Sequence, residues 1–414
     1  MTEPASIRRW SMIVVSTIVL LFSLWAALGT AMGLVLARRG QFIDIPGWHS
    51  PSVEAARAQA LVLDQVERPT PDQGVIAKAR LLAEAALRQD PINTDATRTL
   101  GLIASLDQRQ DQTRRWMAFT QFQSRREVPT QLWMIEDAVS RGDVTDALKH
   151  YNYALTTSRS TETLLFPILI ASANDAQTRE ALVDIVSKRP IWWGRFVDMA
   201  ISTGTTPAAI EAIVAAPRLD LRLEPERQLA ARAIQRLLQL NSVDGAYDLY
   251  RHLRGSVGAQ LLRNGNFVLS NPLPPFDWSL SDKPDLYASI GSVPDPRYAQ
   301  GLTIAAANGG GGVAVHQLLH LSPGKYRLAF VAGGGAESAD ASPKAQLACY
   351  ATGNSPIATI PLRAVGGRQG RVLSADITVP VAACQFQQLE VVVPSIIDGG
   401  TVETWISAVT LRPR

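Results

Sequence analysis

The beginning of the chain differs from the rest in its pattern of hydrophobic positions. An uncharged, largely apolar run extends from Ser11 to Ala37, with two arginines on each side of it. About 20 apolar residues are enough for a helix to cross a bilayer. The pattern therefore predicts a short cytoplasmic tail and a single transmembrane helix in residues 1–40.

A cleaved signal peptide is the alternative interpretation of this segment. The apolar part of a signal peptide usually has about 7 to 15 residues, and this run is much longer. Gly29 and Gly33 form a G-x-x-x-G pair, and small residues at this spacing let two membrane helices approach closely. The pair predicts a homodimer through the membrane helix, although glycine is also common in membrane helices without such contacts.

The middle of the chain has helical periodicity. Residues 41–51 contain proline and glycine and are interpreted as a linker. Residues 52–255 follow as a predicted helical domain. Within it, Ala77–Gln89 consists of strong helix formers and is followed by Asp90-Pro91, a helix stop. Val144–Leu155 places its apolar residues on one face by three- and four-residue spacing.

The pattern changes again in residues 256–414. Glycine, proline, valine and threonine become more frequent, and short apolar runs are bounded by turn residues. This is typical of an all-β domain. The predicted strands are 301–307, 312–319, 324–332, 345–350, 374–379, 388–394 and 404–411. About eight short strands predict a β-sandwich or jelly roll, so the fold class is multidomain α plus β.

Composition and charge narrow the classes of function. The chain has 414 residues, a formal net charge of +3 and no stretch that concentrates basic residues, so no nucleic-acid partner is expected. Its two cysteines, Cys349 and Cys384, could form a disulfide in an oxidising compartment. Two buried free thiols are the alternative.

Two segments of the helical region resemble tetratricopeptide repeats. The sequence AEAALRQDP at Ala83–Pro91 is similar to the end of such a repeat, and Arg141–Leu155 is similar to its second helix. The 34-residue period of that family does not hold steadily. The resemblance implies an α-solenoid that binds protein partners. A simple spacer is the alternative.

The start of the β region resembles galactose-binding-like jelly rolls, a group that includes carbohydrate-binding modules. The matching positions are Asn264, Gly265, Phe267 and Trp278, and the segment ETWISAVTL is similar to the closing strand. The resemblance implies a glycan ligand. Members with structural calcium often have an acidic residue near the middle of the last strand, where this chain has serine and alanine, so calcium is not expected.

Within this resemblance, the residues predicted to bind glycan lie in a polar loop at 281–300. Sugar rings stack on exposed aromatic side chains, and loops carry function more often than strands. We therefore expect Tyr287, Tyr298, Asp285 and Asp295 to contact a glycan. Trp278 and Trp405 belong to the resembling scaffold and are expected in the core.

No specific catalytic motif is found in the sequence. The five histidines are scattered, and no serine has a G-x-S-x-G context. A glycosidase needs two carboxylates in a cleft, and a sequence cannot show that pairing. We therefore expect neither catalytic residues, nor a metal site, nor a cofactor.

Together these features predict a non-catalytic scaffold or adaptor of the cell envelope. It would be a single-pass protein of a bacterial inner membrane with its C-terminal body in the periplasm. Its role would be in exopolysaccharide assembly or export, with protein partners on the helical repeats and polysaccharide on the sandwich. The alternatives are a purely structural protein-interaction subunit and a glycan-modifying enzyme.

Overall fold

A computed structural model describes residues 5–38, 50–66, 68–255, 260–307, 310–336, 342–350, 356–362, 369–382, 384–395 and 402–414. This part of the chain contains thirteen α-helices. They are α1 Ala5–Arg38, α2 Pro51–Val66, α3 Gln73–Gln89, α4 Thr94–Leu106, α5 Gln110–Gln123, α6 Val128–Ser140, α7 Val144–Thr157, α8 Glu162–Ser172, α9 Ala176–Ser187, α10 Trp193–Thr203, α11 Pro207–Ala215, α12 Glu224–Gln239 and α13 Val243–Arg254.

Helix α1 contains the apolar run that the sequence singles out. Its segment Val14–Gly33 has a mean hydropathy of 2.0. The most apolar part of this segment is not buried against the rest of the described chain. Length and composition allow this segment to span a membrane, and a signal sequence would have the same properties. Most of the linker predicted at 41–51 lies outside the described residues.

The described chain divides into two compact units. One comprises Met1–Leu169 with Pro190–Trp192, and the other comprises Ile170–Arg189 with Trp193–Arg414. The predicted domain limits at residues 51/52 and 255/256 stay predictions, as does the tetratricopeptide-like repeat.

In the first unit, α2, α3 and α4 form a core rich in alanine. Small side chains recur at three- and four-residue spacing on the buried faces, which allows the helix backbones to approach closely. The buried residues are Ala55, Ala58, Val62, Ile76, Ala79, Ala83, Ala86, Ala96, Leu100 and Ile103. Helix α3 begins at an N-cap, Asp72, whose carboxylate accepts hydrogen bonds from the amides of Gly74 and Val75.

The second unit ends in a β-sandwich of two antiparallel sheets, which confirms the predicted sandwich. Its strands are β1 Ser279–Leu280, β2 Asp282–Lys283, β3 Leu286–Gly291, β4 Gly301–Ala306, β5 Gly312–Leu319, β6 Gly324–Ala336, β7 Lys344–Cys349, β8 Pro356–Pro361, β9 Arg371–Val379, β10 Gln387–Val393 and β11 Val402–Pro413. The five-stranded sheet has the order β1-β5-β10-β7-β8, and the six-stranded sheet has the order β2-β3-β4-β11-β6-β9.

The segment that resembles galactose-binding-like domains is packed into the sandwich. The ring of Phe267 stacks on that of Trp278 at 5.6 Å between centroids, and both side chains are buried. The indole of Trp278 donates a hydrogen bond of 3.1 Å to the carbonyl of Asn264. A Cβ atom at Gly265 would lie 2.0 Å from the carbonyl oxygen of Val409. Glycine is therefore required where this segment meets β11.

The interpretation of 281–300 as one polar loop is wrong for its first half. Residues 282–283 and 286–291 are strands of the six-stranded sheet. The reason is visible in Leu286–Gly291, where Leu286 and Ala288 are buried and Tyr287 between them is exposed. This alternation has the period of two that a half-buried strand requires.

Candidate functional site

Five polar side chains form a line across the outer face of the five-stranded sheet. Backbone register places Ser279 opposite His316, His316 opposite Glu390, Glu390 opposite Gln346, and Gln346 opposite Thr359. Residues in register share one face of a sheet. We call these five residues the polar row. With strands about 4.8 Å apart, the polar row extends over about 19 Å.

The opposite face of the same strands is the core, and this determines where the polar row points. Leu389, Val391 and Leu347 are buried in the sandwich core. Because side chains alternate between the two faces, Glu390 and Gln346 point away from it. The amide of Gln388 donates a hydrogen bond of 2.8 Å to the carboxylate of Glu390.

His316 lies between Ser279 and Glu390 in the polar row, in a partly buried position. Burial lowers the pKa of its imidazole, and the neighbouring carboxylate of Glu390 opposes that shift. A neutral imidazole has one donor and one acceptor nitrogen. The polar row thus combines an imidazole, a carboxylate, an amide and two hydroxyl groups, which can donate to and accept from the hydroxyls of a ligand.

Helix α12 forms the wall of a cavity beside the polar row. The cavity has a volume of about 290 Å³, and we call it the side cavity. It is lined by Gln235, Leu238, Gln239, Pro275, His316, Leu318, Tyr350 and Gln388.

A larger cleft lies at the turn between α12 and α13, and we call it the end cleft. Its volume is about 590 Å³, and it is lined by Asn241, Val243, Asp244, His320, Leu321, Ser322, Pro323, Tyr350, Val381, Cys384, Gln385 and Phe386. His320 and Phe386 lie 5.0 Å apart between ring centroids. The amide of Gln385 donates to the carboxylate of Asp244 at 2.5 Å.

Tyr350 lines both spaces, and its position is fixed by its neighbours. Its backbone amide donates to the carbonyl of Phe386 at 2.9 Å. The residue before it, Cys349, forms a disulfide with Cys384, which confirms the predicted bond. The Tyr350 side chain is 38% exposed. An anchored backbone with an exposed ring is suited to stacking on a ligand.

The residues that the sequence predicted for glycan binding lie on the other sheet or beside it. Tyr287 is 53% exposed on β3, and Asp285 is exposed in the turn before it. Asp295 is fully buried and accepts hydrogen bonds from the guanidinium of Arg297 at 2.6 Å and from the amide of Gly370 at 2.8 Å. These bonds, of which the one from Arg297 is the strongest, lower the pKa of the Asp295 carboxyl.

Tyr298 belongs to the same small cluster as Asp295. The guanidinium of Arg297 lies 5.6 Å from the centroid of the Tyr298 ring, and Tyr298 is half-buried. The structure therefore places Asp295 and Tyr298 in one local cluster, and Asp285 and Tyr287 at the start of β3. Trp278 and Trp405 are both buried, as the sequence predicted.

The sequence did not single out the polar row, although a signal for part of it exists. In Gln387–Val393, the polar residues Gln388 and Glu390 alternate with Leu389 and Val391. That period of two predicts an outward polar face on this strand. The sequence gives no comparable indication that His316 and Gln346 are in register with Glu390.

Comparisons with known proteins give only distant similarity. No family model and no curated protein sequence matches the chain. The carbohydrate-binding module TmCBM61 in complex with β-1,4-galactotriose is 15% identical over 38% of this chain and 100% of its own, with a TM-score of 0.27. A CBM4 module is 16% identical over 37% of this chain and 99% of its own, with a TM-score of 0.27.

The enzymatically active domain of tailspike protein 4 from bacteriophage CBA120 is similar to the same extent. It is 16% identical over 37% of this chain and 21% of its own chain, with a TM-score of 0.28. At these TM-scores the similarity carries no argument about function.

Proposed function

We propose that this protein is a membrane-anchored, non-catalytic scaffold of the cell envelope whose sandwich binds glycan along the polar row. The observation that carries the proposal is the line of five polar side chains, together with the exposed ring of Tyr350, which lines the side cavity with His316. Glycans present hydroxyls at their edges and apolar C–H faces to the side. A polar line beside an aromatic ring is complementary to both.

The location proposed for the protein is a bacterial inner membrane, with the sandwich in the periplasm and a role in exopolysaccharide assembly or export. Helix α1 supports the anchor because Val14–Gly33 is long and apolar enough to span the hydrocarbon core. The Cys349–Cys384 disulfide supports an oxidising compartment. Retention in carbonate-washed membranes, with an N-terminus that begins before Val14, would distinguish an anchor from a cleaved signal sequence.

Binding, not cleavage, is proposed for the polar row. A glycosidase would need a second carboxylate about 5 to 10 Å from Glu390. Incubation of the full chain with each glycan that it binds, followed by assay for new reducing ends, tests this part. Release of reducing ends that depends on Glu390 would establish the alternative of a glycan-modifying enzyme.

The experiment for the proposed function is a glycan array probed with the detergent-solubilised full chain. We expect binding to at least one polysaccharide, and loss of that binding in a Gln346→Ala/Glu390→Ala variant. The matched control is Ser374→Ala/Thr378→Ala, which removes two exposed side chains from β9 in the other sheet. No binding by the unaltered chain, or equal binding by both variants, would overturn the proposal.

A second candidate function is a protein-interaction subunit of an envelope complex, supported by exposed apolar residues in the first unit. Phe122 at the end of α5 is 86% exposed, and Ile92 between α3 and α4 is 76% exposed. Large apolar side chains that are this exposed are candidate contacts for a protein partner. Crosslinking in intact membranes through a photoreactive amino acid at position 122 tests this candidate.

A further inference from the structure

The side cavity and the end cleft are built from helices as well as strands. Gln235 and Gln239 are one turn apart on α12 and line the side cavity. Asn241 and Asp244, in and just after the turn between α12 and α13, line the end cleft. The sandwich therefore forms only part of the surface around Tyr350.

Helix α13, which packs against α12, is held against the sandwich by buried contacts. The Tyr250 hydroxyl and the Arg254 guanidinium both donate to the fully buried carboxylate of Asp277, at 2.9 and 2.5 Å. The ring of Tyr247 packs on that of Phe276, with 5.3 Å between centroids. A buried carboxylate is costly to separate from the groups that donate to it. Helix α13 is thus fixed on the sandwich, and α12 packs against it.

The chemistry of the two linings restricts the class of ligand. In the side cavity, Gln235, Gln239 and Gln388 contribute amides that both donate and accept hydrogen bonds. Among the described residues that line either space, none is lysine or arginine, and Asp244 is the one carboxylate. An anionic chain would meet no opposite charge there, whereas amides match the hydroxyls of an uncharged sugar.

We infer that α12 supplies specificity-determining residues for an uncharged oligosaccharide that lies on the polar row and enters the side cavity between His316 and Tyr350. Gln235 and Gln239 bind the hydroxyls of the sugar units that occupy the side cavity. The helical segment therefore selects the ligand together with the sandwich and is more than a spacer. This inference rests on the proposed function of the polar row.

The test compares four forms of the full chain by calorimetry: the unaltered chain, Gln235→Ala/Gln239→Ala, Gln346→Ala/Glu390→Ala and a control. The ligands are hexaoses of β-1,4-linked glucose, xylose, mannose and galactose and any uncharged glycan found on the array. Gln235→Ala/Gln239→Ala removes the two helix amides from exposed positions, so the fold should be retained. We expect its affinity for the bound sugar to fall about tenfold. The control, Gln228→Ala, changes an exposed glutamine two turns earlier on α12 and should bind as the unaltered chain does.

The outcomes separate this inference from the proposed function. Unchanged affinity in Gln235→Ala/Gln239→Ala, together with loss of binding in Gln346→Ala/Glu390→Ala, would overturn the inference and leave the polar row as the site. Preferential binding of an anionic polymer would also overturn the inference. Failure of the unaltered chain to bind any glycan would overturn the proposed function, and the inference with it.

Discussion

The hydroxyl of Tyr250, on α13, donates a hydrogen bond of 2.9 Å to the carboxylate of Asp277, which lies immediately before Trp278 and β1. Asp277 also accepts from the backbone amide of Leu273 at 2.8 Å. A buried carboxylate that loses a donor retains the cost of its desolvation. We predict that Tyr250→Phe lowers the free energy of unfolding by about 1 to 3 kcal/mol.

This prediction is checked by unfolding the full chain in urea. The proteolytic susceptibility of the sandwich is the signal that reports unfolding. The control is Tyr287→Phe, which removes a hydroxyl from an exposed side chain and should change stability little. Equal stability of the two variants would contradict a structural role for the bond between Tyr250 and Asp277.

The contact between Gly265 and β11 gives a second prediction. Because a Cβ atom at Gly265 would lie 2.0 Å from the Val409 carbonyl oxygen, Gly265→Ala must displace backbone. We expect it to lower the free energy of unfolding by about 1 to 3 kcal/mol. Gly291→Ala is the control, because a Cβ atom at Gly291 would meet nothing within 4 Å. A Gly265→Ala protein as stable as this control would contradict the close packing.

The disulfide gives a third prediction, because it closes a loop between two residues that are 35 apart in sequence. Loop closure of this size contributes about 3 to 4 kcal/mol to stability in the chain-entropy model. Cys349→Ala/Cys384→Ala should lose about that amount in urea unfolding. A reducing agent should then weaken the unaltered protein but have no effect on the double variant. If reduction leaves the unaltered protein as stable as before, the prediction fails.

His316 gives a prediction about pH. Burial lowers the pKa of its imidazole in the folded state, so the unfolded chain binds more protons between the folded pKa and about 6.5. The free energy of unfolding should therefore fall as the pH is lowered below about 6.5. Buried His150 has a pKa lowered by the same cause and contributes to the same fall.

The measurement is the slope of unfolding free energy against pH between about 5 and 7. His316→Asn should flatten this slope, because the variant has no imidazole to titrate at that position. His252→Asn, a substitution at an exposed site on α13, serves as the control. A slope in His316→Asn as steep as in the unaltered chain would show that His316 is not the group responsible.

Local sequence patterns were sufficient to predict some elements closely and failed for others. The strand predicted at 312–319 is Gly312–Leu319 in the structure, and the helix that ends before Asp90-Pro91 ends at Gln89. Both follow from signals within a few residues. The polar row depends on β5, β10 and β7 lying side by side, and strand order is fixed by long-range packing. For this reason the sequence could not show that His316, Glu390 and Gln346 lie in one row.

The most direct test of the central claim compares the two exposed tyrosines on opposite sheets. The affinity of the full chain for the glycan that it binds best on the array should be measured for Tyr350→Ala and for Tyr287→Ala. We predict that Tyr350→Ala weakens binding about tenfold or more, because the exposed ring that lines the side cavity with His316 is lost, while Tyr287→Ala binds normally. Normal binding in Tyr350→Ala with weakened binding in Tyr287→Ala would contradict this account and place the glycan at β3.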